Sequence, residues 1–371
     1  MRAYATNVPY SIIYDDNVTS NMPTDVDTTS MSEQVTMANN TPTRPGFKYL
    51  GWCSVIPTNS SGTDLCTGGT SYQPSATLPI NQTSTGNNFH FYAMWKEPCV
   101  GQVKMQELTS SSIATLLPNE HSTATVCDTR DEETYTIAKL KDGKYWMVEN
   151  LNLAGGTSLS ANDTDVTSAY ISSFSTSNNL TKTGDTIVLP TSSTSGFNTI
   201  DYSYVYNSGN KSTNCASPGC YSYYSWDAAT LGSGRTIVTD NTDAPHSICP
   251  KGWKLPSTHN GSGTAAEAAD FRALMIGYGG SSSIKTYNSS TNPTGVTMFG
   301  NIGPSTVPNF IFTGNYYYGS FRMADYGDFW SSTSYFTSSA YSVELYNNYV
   351  ATAVDYSRNL GHSVRCLFSG Q

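Results

Sequence analysis

The sequence predicts an α+β fold in which short strands outnumber helices. Only 13% of the residues are charged, and Ser, Thr, Asn, Gly and 26 Tyr take their place, which is typical of β-rich proteins with many turns. An Asp142-Gly143 pair stands between two apolar runs and is a strong hairpin signal. Thr264 and Glu267 have the spacing of a capping box, which predicts a helix.

The first 97 residues predict a small β-rich module. Residues 10–14 favour one strand, residues 44–52 a turn followed by an aromatic strand, and residues 89–95 a closing strand. The alternation in the closing strand places four apolar residues on one face, and these are Phe89, Phe91, Ala93 and Trp95.

A change of pattern at residue 126 predicts a second domain over residues 126–371. Residues 98–125 have weak periodicity, so we expect a linker there. Residues 135–140 and 145–148 predict the two strands of the hairpin. Residues 155–200 are dominated by Ser, Thr, Asn and Gly, and because they have little to bury we expect a long loop.

Two helices are predicted in the second domain. Residues 226–229 favour a brief helix, and residues 264–276 a longer one that Gly277 ends. Three residues of the longer helix share an apolar face, and these are Phe271, Leu274 and Met275.

The formal net charge is −9 and no block of basic residues occurs, so we expect no nucleic-acid partner. No stretch of eighteen apolar residues is present, and the start has no apolar signal core. If the protein is exported, we expect membrane contact only through an anchor that this sequence does not contain.

The eight cysteines favour a disulfide framework, and they are Cys53, Cys66, Cys99, Cys127, Cys215, Cys220, Cys249 and Cys366. No C-x-x-C pair occurs and no His stands beside a Cys, so the spacing does not fit a zinc site. Disulfides form in oxidising compartments, which predicts an extracellular or cell-surface location.

Three motifs of the first module occur in a recognisable order: R-P-G-F at 44–47, G-W at 51–52 and Y-A-M-W at 92–95. Residues 8–96 therefore resemble the Listeria–Bacteroides repeat of internalin-type surface proteins. The resemblance implies a β-grasp-like spacer over residues 1–97.

Further motifs follow one another along the second domain: D-T-R-D at 128–131, W-M-V-E-N-L at 146–151, Y-S-W-D-A-A at 224–229, I-C-P-K-G-W-K-L-P at 248–256, F-W-S-S-T at 329–333 and H-S-V-R-C at 362–366. In this order they resemble the Fibrobacter succinogenes major paralogous domain, a branch of the C-type lectin fold. The resemblance implies a C-type lectin-like domain in which the tryptophans of the motifs, Trp146, Trp226, Trp253 and Trp330, pack in the core.

Disulfide pairings are suggested within this framework. Cys249–Cys366 would close a loop of 117 residues, worth up to about 4.7 kcal/mol, and Cys53–Cys66 a short loop worth about 3 kcal/mol. Cys99–Cys127 and Cys215–Cys220 would be the remaining pairs. Eight cysteines allow 105 pairings, so other connectivities stay open.

The segment 335–360 is rich in Tyr, Ser, Asn and Thr, and it is bounded by the fixed motifs. This mixture resembles that of antibody paratopes, where Tyr supplies contact area and Ser and Asn supply adaptable hydrogen bonds. We expect a strand, a turn at Asn347-Asn348 and a returning strand. The expected ligand-binding residues are Tyr335, Phe336, Ser338, Tyr341, Ser342, Glu344, Tyr346, Asn347, Asn348, Tyr349, Thr352, Asp355, Tyr356, Arg358, Asn359 and His362.

Two interpretations of this segment stay open. C-type lectin domains of this kind also serve as variable proteins of diversity-generating retroelements, in which adenine mutagenesis cannot yield Met, Trp, Lys, Gln or Glu. Within residues 334–362 only Glu344 belongs to that set. The alternative is an ordinary lectin-like loop that does not vary.

Other chemistries are less favoured. The usual triplets of a calcium-dependent sugar site are absent, so we expect no bound metal, although Asp325, Asp328, Glu344 and Asp355 remain candidates for calcium ligands. The five histidines have no neighbours of a triad or metal site, and no catalytic motif occurs, so we expect no enzyme and no cofactor. The predicted function is binding of a protein or glycan on another cell or surface. The alternative is a structural surface or pilus-type subunit.

Overall fold

The computed structural model describes residues 8–15, 22–30, 32–44, 46–81, 87–176, 179–190, 205–207, 222–261, 263–280, 286–288, 302, 306–310, 314–317, 320–322, 326–346 and 349–370. The chain divides into two compact units, residues 1–101 and residues 102–371. Strands dominate the described part of both units, and the few helices are short. The predicted combination of many strands with a few helices is therefore confirmed at this level.

Unit 1 consists of nine described strands: β1 Val8–Asp15, β2 Val26–Ser30, β3 Gln34–Thr36, β4 Lys48–Cys53, β5 Thr58–Ser60, β6 Thr63–Leu65, β7 Ser71–Tyr72, β8 Thr77–Pro79 and β9 Asn87–Lys96. The main sheet has the order β2-β1-β9-β4-β7. Its two central strands, β1 and β9, run parallel, and the other pairs along this path are antiparallel.

The predicted face of the closing strand is confirmed. Phe91, Ala93 and Trp95 are buried in one cluster, and Phe89 packs against its edge. A bulge at Gly51 bends the partner strand, and Gly51 has a φ of +127°. A Cβ atom there would lie 2.7 Å from the carbonyl oxygen of Tyr72, so glycine is required.

Unit 2 begins with a 3₁₀ turn at Met105–Glu107. Its helices are α1 Ser110–Leu116, α2 Ser168–Ser173, α3 Trp226–Ala229, α4 Thr264–Ala268 and α5 Asp270–Gly277. Its strands are β10 Thr123–Cys127, β11 Thr134–Lys139, β12 Tyr145–Met147, β13 Ser158–Ser160, β14 Thr181–Thr183, β15 Thr186–Val188, β16 Val205–Asn207, β17 Ser222–Tyr224, β18 Thr242–Asp243, β19 Trp253–Lys254, β20 Thr286–Asn288, β21 Asn315–Tyr317, β22 Ser320–Arg322, β23 Tyr326–Tyr335, β24 Ser339–Tyr346, β25 Tyr349–Ser357 and β26 Leu367–Phe368.

Two five-stranded sheets organise this unit, with the orders β10-β11-β12-β26-β19 and β18-β23-β24-β25-β20. The predicted hairpin is confirmed, because β11 and β12 pair antiparallel around the Asp142-Gly143 turn. The predicted strand and returning strand of the C-terminal segment are confirmed as β24 and β25.

The four motif tryptophans are core residues, as predicted. Each side chain is fully buried, and each indole N–H donates a hydrogen bond. Trp226 donates to the carbonyl of Ser331 at 2.8 Å, and Trp330 donates to that of Tyr224 at 2.7 Å. Burial of the indoles therefore leaves no polar atom of these side chains unsatisfied.

Residues 102–125 are not a linker, which corrects the prediction. Met105, Leu108, Ile113 and Leu117 of this segment are all buried in the main core of unit 2. The weak periodicity has a structural cause, since a 3₁₀ turn and a short α-helix with different repeats follow each other closely.

Residues 155–200 are not one long loop, which corrects a second prediction. Strands β13, β15 and β14 form a three-stranded sheet, and α2 lies between β13 and β14 in the chain. The sparse apolar residues Leu159, Ile171 and Ile187 are buried with 2% exposure or less. Few apolar residues suffice here because each points into the core. Residues 191–200 lie outside the described part.

The helix predicted at residues 264–276 is divided at Ala269, whose backbone is extended. The capping box is absent, because Gly263 is the N-cap of α4 and makes no side-chain cap. The extended residue lets the Asp270 carboxylate accept from the backbone N–H and the hydroxyl of Ser257. The apolar face Phe271, Leu274 and Met275 is fully buried, as predicted. Among the described helices none is long and apolar enough to span a membrane.

Two of the expected disulfides form as expected. Cys53–Cys66 and Cys249–Cys366 have Cα–Cα distances of 5.4 and 5.7 Å. Cys99 and Cys127 are disulfide-bonded as well. Cys215 and Cys220 lie outside the described residues.

Candidate functional site

The candidate site lies on the sheet formed by β23, β24 and β25. Phe329 pairs with Val343 across β23 and β24, and both belong to a hydrophobic cluster on one face of the sheet. The neighbouring pairs, Asp328 with Glu344 and Trp330 with Ser342, therefore point to the opposite face. This opposite face carries the polar residues that the sequence singled out.

A buried cluster of polar and aromatic side chains occupies this face. The hydroxyl of Tyr356 donates a hydrogen bond to the carboxylate of Glu344. The imidazole of His362 stacks on Trp330 with a centroid distance of 4.1 Å and meets Tyr356 edge-on at 4.9 Å. Burial raises the pKa of Glu344 and, together with the nearby Asp328 carboxyl, that of Tyr356.

His362 is fully buried, and within the described part of the chain neither ring nitrogen has a hydrogen-bond partner. Burial lowers its pKa to about 3, so the imidazole is neutral near pH 7. The hydroxyl of Ser342 is also buried without a described partner. The cluster thus contains polar atoms that water molecules could satisfy.

Seven of the expected binding residues are buried, which corrects the prediction that they form an exposed surface: Tyr341, Ser342, Glu344, Thr352, Arg358, Asn359 and His362. Both faces of the sheet are covered, so alternation does not separate an inner face from an exposed one. Tyr341 illustrates the cause. Its hydroxyl donates to the Asp240 carboxylate at 2.9 Å and accepts from the Asn260 amide at 2.7 Å.

Four of the expected residues cannot be placed in the site. Asn347 and Asn348 lie outside the described residues, and so do the side chains of Tyr346 and Tyr349. The backbones of Tyr346 and Tyr349 pair with each other at the end of the β24–β25 hairpin.

The remaining expected residues reach the surface. Phe336 and Ser338 lie in the turn between β23 and β24, where the Phe336 side chain is 51% exposed. Tyr335 is half-buried and contacts the ring of Phe336 at a centroid distance of 4.6 Å. Asp355 is exposed and Tyr356 half-buried on β25. The accessible part of the predicted surface is therefore centred on the turn 335–338.

Phe336 has an unusual backbone. Its φ is +51°, in the left-handed region that costs an L-residue roughly 1–2 kcal/mol. Its carbonyl accepts hydrogen bonds from Arg358 Nη2 at 2.6 Å and from the hydroxyl of Ser334 at 3.2 Å. The turn is thus fixed by its neighbours in a conformation that its own sequence does not favour.

Arg358 is the anchor of this turn. Besides the Phe336 carbonyl, its guanidinium donates to the carbonyls of Gly234 at 3.2 Å and Ile237 at 2.8 Å, and to the Ser334 hydroxyl at 2.7 Å. The same nitrogen, Nη2, binds both the Ile237 and the Phe336 carbonyl, so the two backbones lie side by side.

The segment 236–243 therefore borders the turn, and sequence analysis did not identify it. Val238, next to Ile237, is 55% exposed, and the backbone of Asn241 donates to the Ser334 carbonyl at 3.1 Å. The segment lies about a hundred residues before the turn and has no motif. The exposure of Val238 is visible only in the folded structure, so the sequence contains no signal for this segment.

Within the described residues, no group of three or more His, Cys, Asp or Glu side chains is arranged to hold a metal ion. Comparison of the chain with protein-family models, curated proteins and solved structures finds no match.

Proposed function

We propose that the protein is an extracellular or cell-surface binding protein of the adhesin or receptor type, and not an enzyme. Its ligand is a protein or glycan on another cell or surface. The contact is made by the exposed turn 335–338 together with the bordering segment 236–243. The observation that carries the proposal is Phe336, a large aromatic side chain that is 51% exposed on a strained turn fixed by a buried arginine.

The physical argument is one of preorganisation. Binding to a flexible loop costs the entropy of ordering it, whereas a fixed aromatic side chain presents its contact area in advance. Backbone strain concentrates at ligand-binding positions. Apart from the edge contact with Tyr335, the half-exposed ring of Phe336 makes no described aromatic contact, and ligand contact supplies a reason for the strain.

We further propose a C-type lectin-like fold for unit 2 and a β-grasp-like fold for unit 1. The order of the motifs and the pairing of the late strand β26 with the early strand β12 support the first assignment. The central parallel pair of β1 and β9 in a mixed sheet supports the second.

The disulfides support the proposed location, since such bonds persist in oxidising compartments. Diversification of the segment by a retroelement also remains a proposal. If it operates, it should change the exposed positions of the turn, because the buried residues of β24 and β25 hold the sheet together.

The test is a binding screen of the whole chain against a glycan array and against intact bacterial cells. The affinity of each ligand found in the screen is then measured for the wild type and for the variant Phe336→Gly, which removes the ring and tolerates a positive φ. Ile56→Ala removes another exposed apolar side chain, 71% exposed in unit 1, and serves as the matched control. We expect Phe336→Gly to lose binding at least tenfold and Ile56→Ala to retain it. Equal binding by both variants would exclude the turn as the contact.

A further inference from the structure

Unit 2 contains a second feature suited to binding, a polar cavity of about 260 Å³. It lies where β18, β19 and β23 meet the loop before α2 and the residues after β26. Its polar lining consists of Asp165, Asp243, Ser247, Lys254, Ser332 and Ser369. None of these residues belongs to the turn 335–338.

The hydroxyl groups of the lining already donate their protons to the protein. Ser247 donates to Asp165 Oδ2 at 2.7 Å, and Ser332 donates to Asp243 Oδ1 at 3.1 Å. Ser369 donates to the carbonyl of Gly252 at 3.1 Å. Ser332 and Ser369 can therefore accept hydrogen bonds from a ligand but have no proton left to offer, whereas Ser247 Oγ already accepts from the backbone N–H groups of Cys249 and Leu255.

The two carboxylates, in contrast, each keep an unused oxygen. Asp165 Oδ1 and Asp243 Oδ2 accept no hydrogen bond from the described residues, although the other oxygen of each group does. A carboxylate oxygen that lines a cavity is a strong acceptor for a charged donor. The cavity as a whole therefore favours a ligand that carries hydrogen-bond donors.

The charge of the surroundings favours a cation among such ligands. Lys254 lies 2.7 Å from Asp270 Oδ2, and Lys144 lies 2.7 Å from Asp270 Oδ1. Both ammonium groups are thus paired with Asp270. The charged groups in and next to the cavity are three carboxylates and two ammonium groups, namely Asp165, Asp243, Asp270, Lys144 and Lys254. Together they leave one net negative charge when all are ionised.

Asp165 is the carboxylate that lacks compensation most clearly. Burial raises its pKa to about 7, and the hydrogen bond from Ser247 and the charge of Lys254 offset this only in part. A positive group in the cavity would supply the missing stabilisation of the ionised form.

We infer that this cavity binds a small ligand of the amino-sugar class, with its primary ammonium at Asp165 and hydroxyl groups at Asp243. The size agrees with one sugar ring, because the volume lies just below the range of about 300–1,000 Å³ that drug-sized ligands need. The cavity shares Asp243 with the segment 236–243 but no residue with the turn 335–338, so the inference does not require that Phe336 contacts a ligand.

The test uses saturation-transfer NMR at neutral pH on the full chain with glucosamine, N-acetylglucosamine and glucose. The last two probes keep the ring but lack the charge. We expect glucosamine to bind about tenfold more tightly than either, since charge-assisted hydrogen bonds are about twice as strong as neutral ones. Equal affinities for the three sugars, or no binding of glucosamine, would overturn the inference.

Two variants locate the site. Asp165→Asn keeps the shape and the acceptor for Ser247 but removes the charge, and we expect it to abolish the preference for glucosamine. Asp185→Asn changes an exposed carboxylate in the β14–β15 turn of the same unit and should leave the preference intact. If Asp165→Asn does not fold, Asp243→Asn takes its place, with an expected loss of affinity for glucosamine. Full retention of the preference in the folded variant would exclude the cavity as the site.

Discussion

The guanidinium of Arg358 lies over the indole of Trp226, with its central carbon 4.3 Å from the ring centroid. The two side chains are almost completely enclosed, and Arg358 is 3% exposed. This stack connects the motif around α3 with the exposed turn 335–338, because Arg358 also donates to the Phe336 carbonyl. The position of the turn therefore depends on a cation–π contact in the core.

Arg358→Lys should destabilise unit 2 by about 3 kcal/mol. Lysine has a single ammonium in place of the planar fork, so it cannot serve the carbonyls of Gly234, Ile237 and Phe336 together. The free energy of unfolding from urea titration checks this. An unchanged midpoint would mean that the arginine fork is dispensable for the turn.

Gly234→Ala should destabilise by about 1–3 kcal/mol, the usual cost of overpacking. A Cβ atom at this position would lie 2.3 Å from Cζ3 of Trp226, which is fully buried and cannot move aside. Thermal unfolding followed by tryptophan fluorescence measures the effect. Wild-type stability of this variant would show that the indole has room to shift.

Phe336→Gly should be more stable than Phe336→Ala by about 1 kcal/mol. Both variants lose the half-exposed ring, but only glycine adopts the observed φ of +51° without strain. The comparison of the two denaturation midpoints isolates the backbone term. Equal midpoints would argue against a left-handed conformation at this position.

His362 should make the protein sensitive to acid. The imidazole has a pKa of about 3 in the folded state against 6.5 for the free group, so between these values the unfolded state binds more protons. The contribution of His362 to the free energy of unfolding should therefore be fully present above pH 6.5. Below pH 6.5 it should fall by up to about 1.4 kcal/mol per pH unit. The raised pKa values of Asp131 and Asp165 have the opposite effect on stability, because these two groups make the folded state bind protons more readily than the unfolded state.

The measurement is accordingly a difference between the wild type and His362→Gln, in which the contributions of the two aspartates cancel. The unfolding free energy of the wild type should fall relative to the variant as the pH is lowered from 6.5. Parallel pH profiles would refute a buried neutral histidine.

Loss of the long-range disulfide should cost more than loss of the local one. The Cys249–Cys366 bond spans 117 residues, and the Cys53–Cys66 bond spans 13. Chain entropy predicts losses of about 4.7 and about 3 kcal/mol for the paired Cys→Ser variants. Chemical denaturation of each unit, followed separately, provides the comparison. The reverse order would indicate that strain or residual structure outweighs loop length.

Local patterns predicted the elements whose partners are near in the chain. The hairpin around Asp142-Gly143 and the apolar face of β9 needed no knowledge of distant residues. The burial of residues 102–125, in contrast, depends on distant residues, since the carbonyl of Met105 accepts a hydrogen bond from the indole of Trp253, 148 positions later. Weak periodicity does not reveal such a partner.

The same dependence on residues distant in the chain explains why the site was predicted only in part. The sequence predicts β24 and β25 as two pairing strands, but it cannot show that both faces of their sheet are covered. Tyr341 is buried by Asp240 and Asn260, which lie 101 and 81 positions away. Phe336 and Ser338 were predicted as binding residues, whereas the turn that carries them and its anchoring by Arg358 required the three-dimensional arrangement.

The position of β26 has a consequence for biosynthesis. This strand, Leu367–Phe368, lies between β12 and β19, so the five-stranded sheet has a gap until residue 368 has left the ribosome. Contacts that join residues this far apart also form slowly. The core of unit 2 therefore closes only after its last strand has been synthesised, and the Cys249–Cys366 bond, whose second cysteine immediately precedes this strand, forms only at that stage.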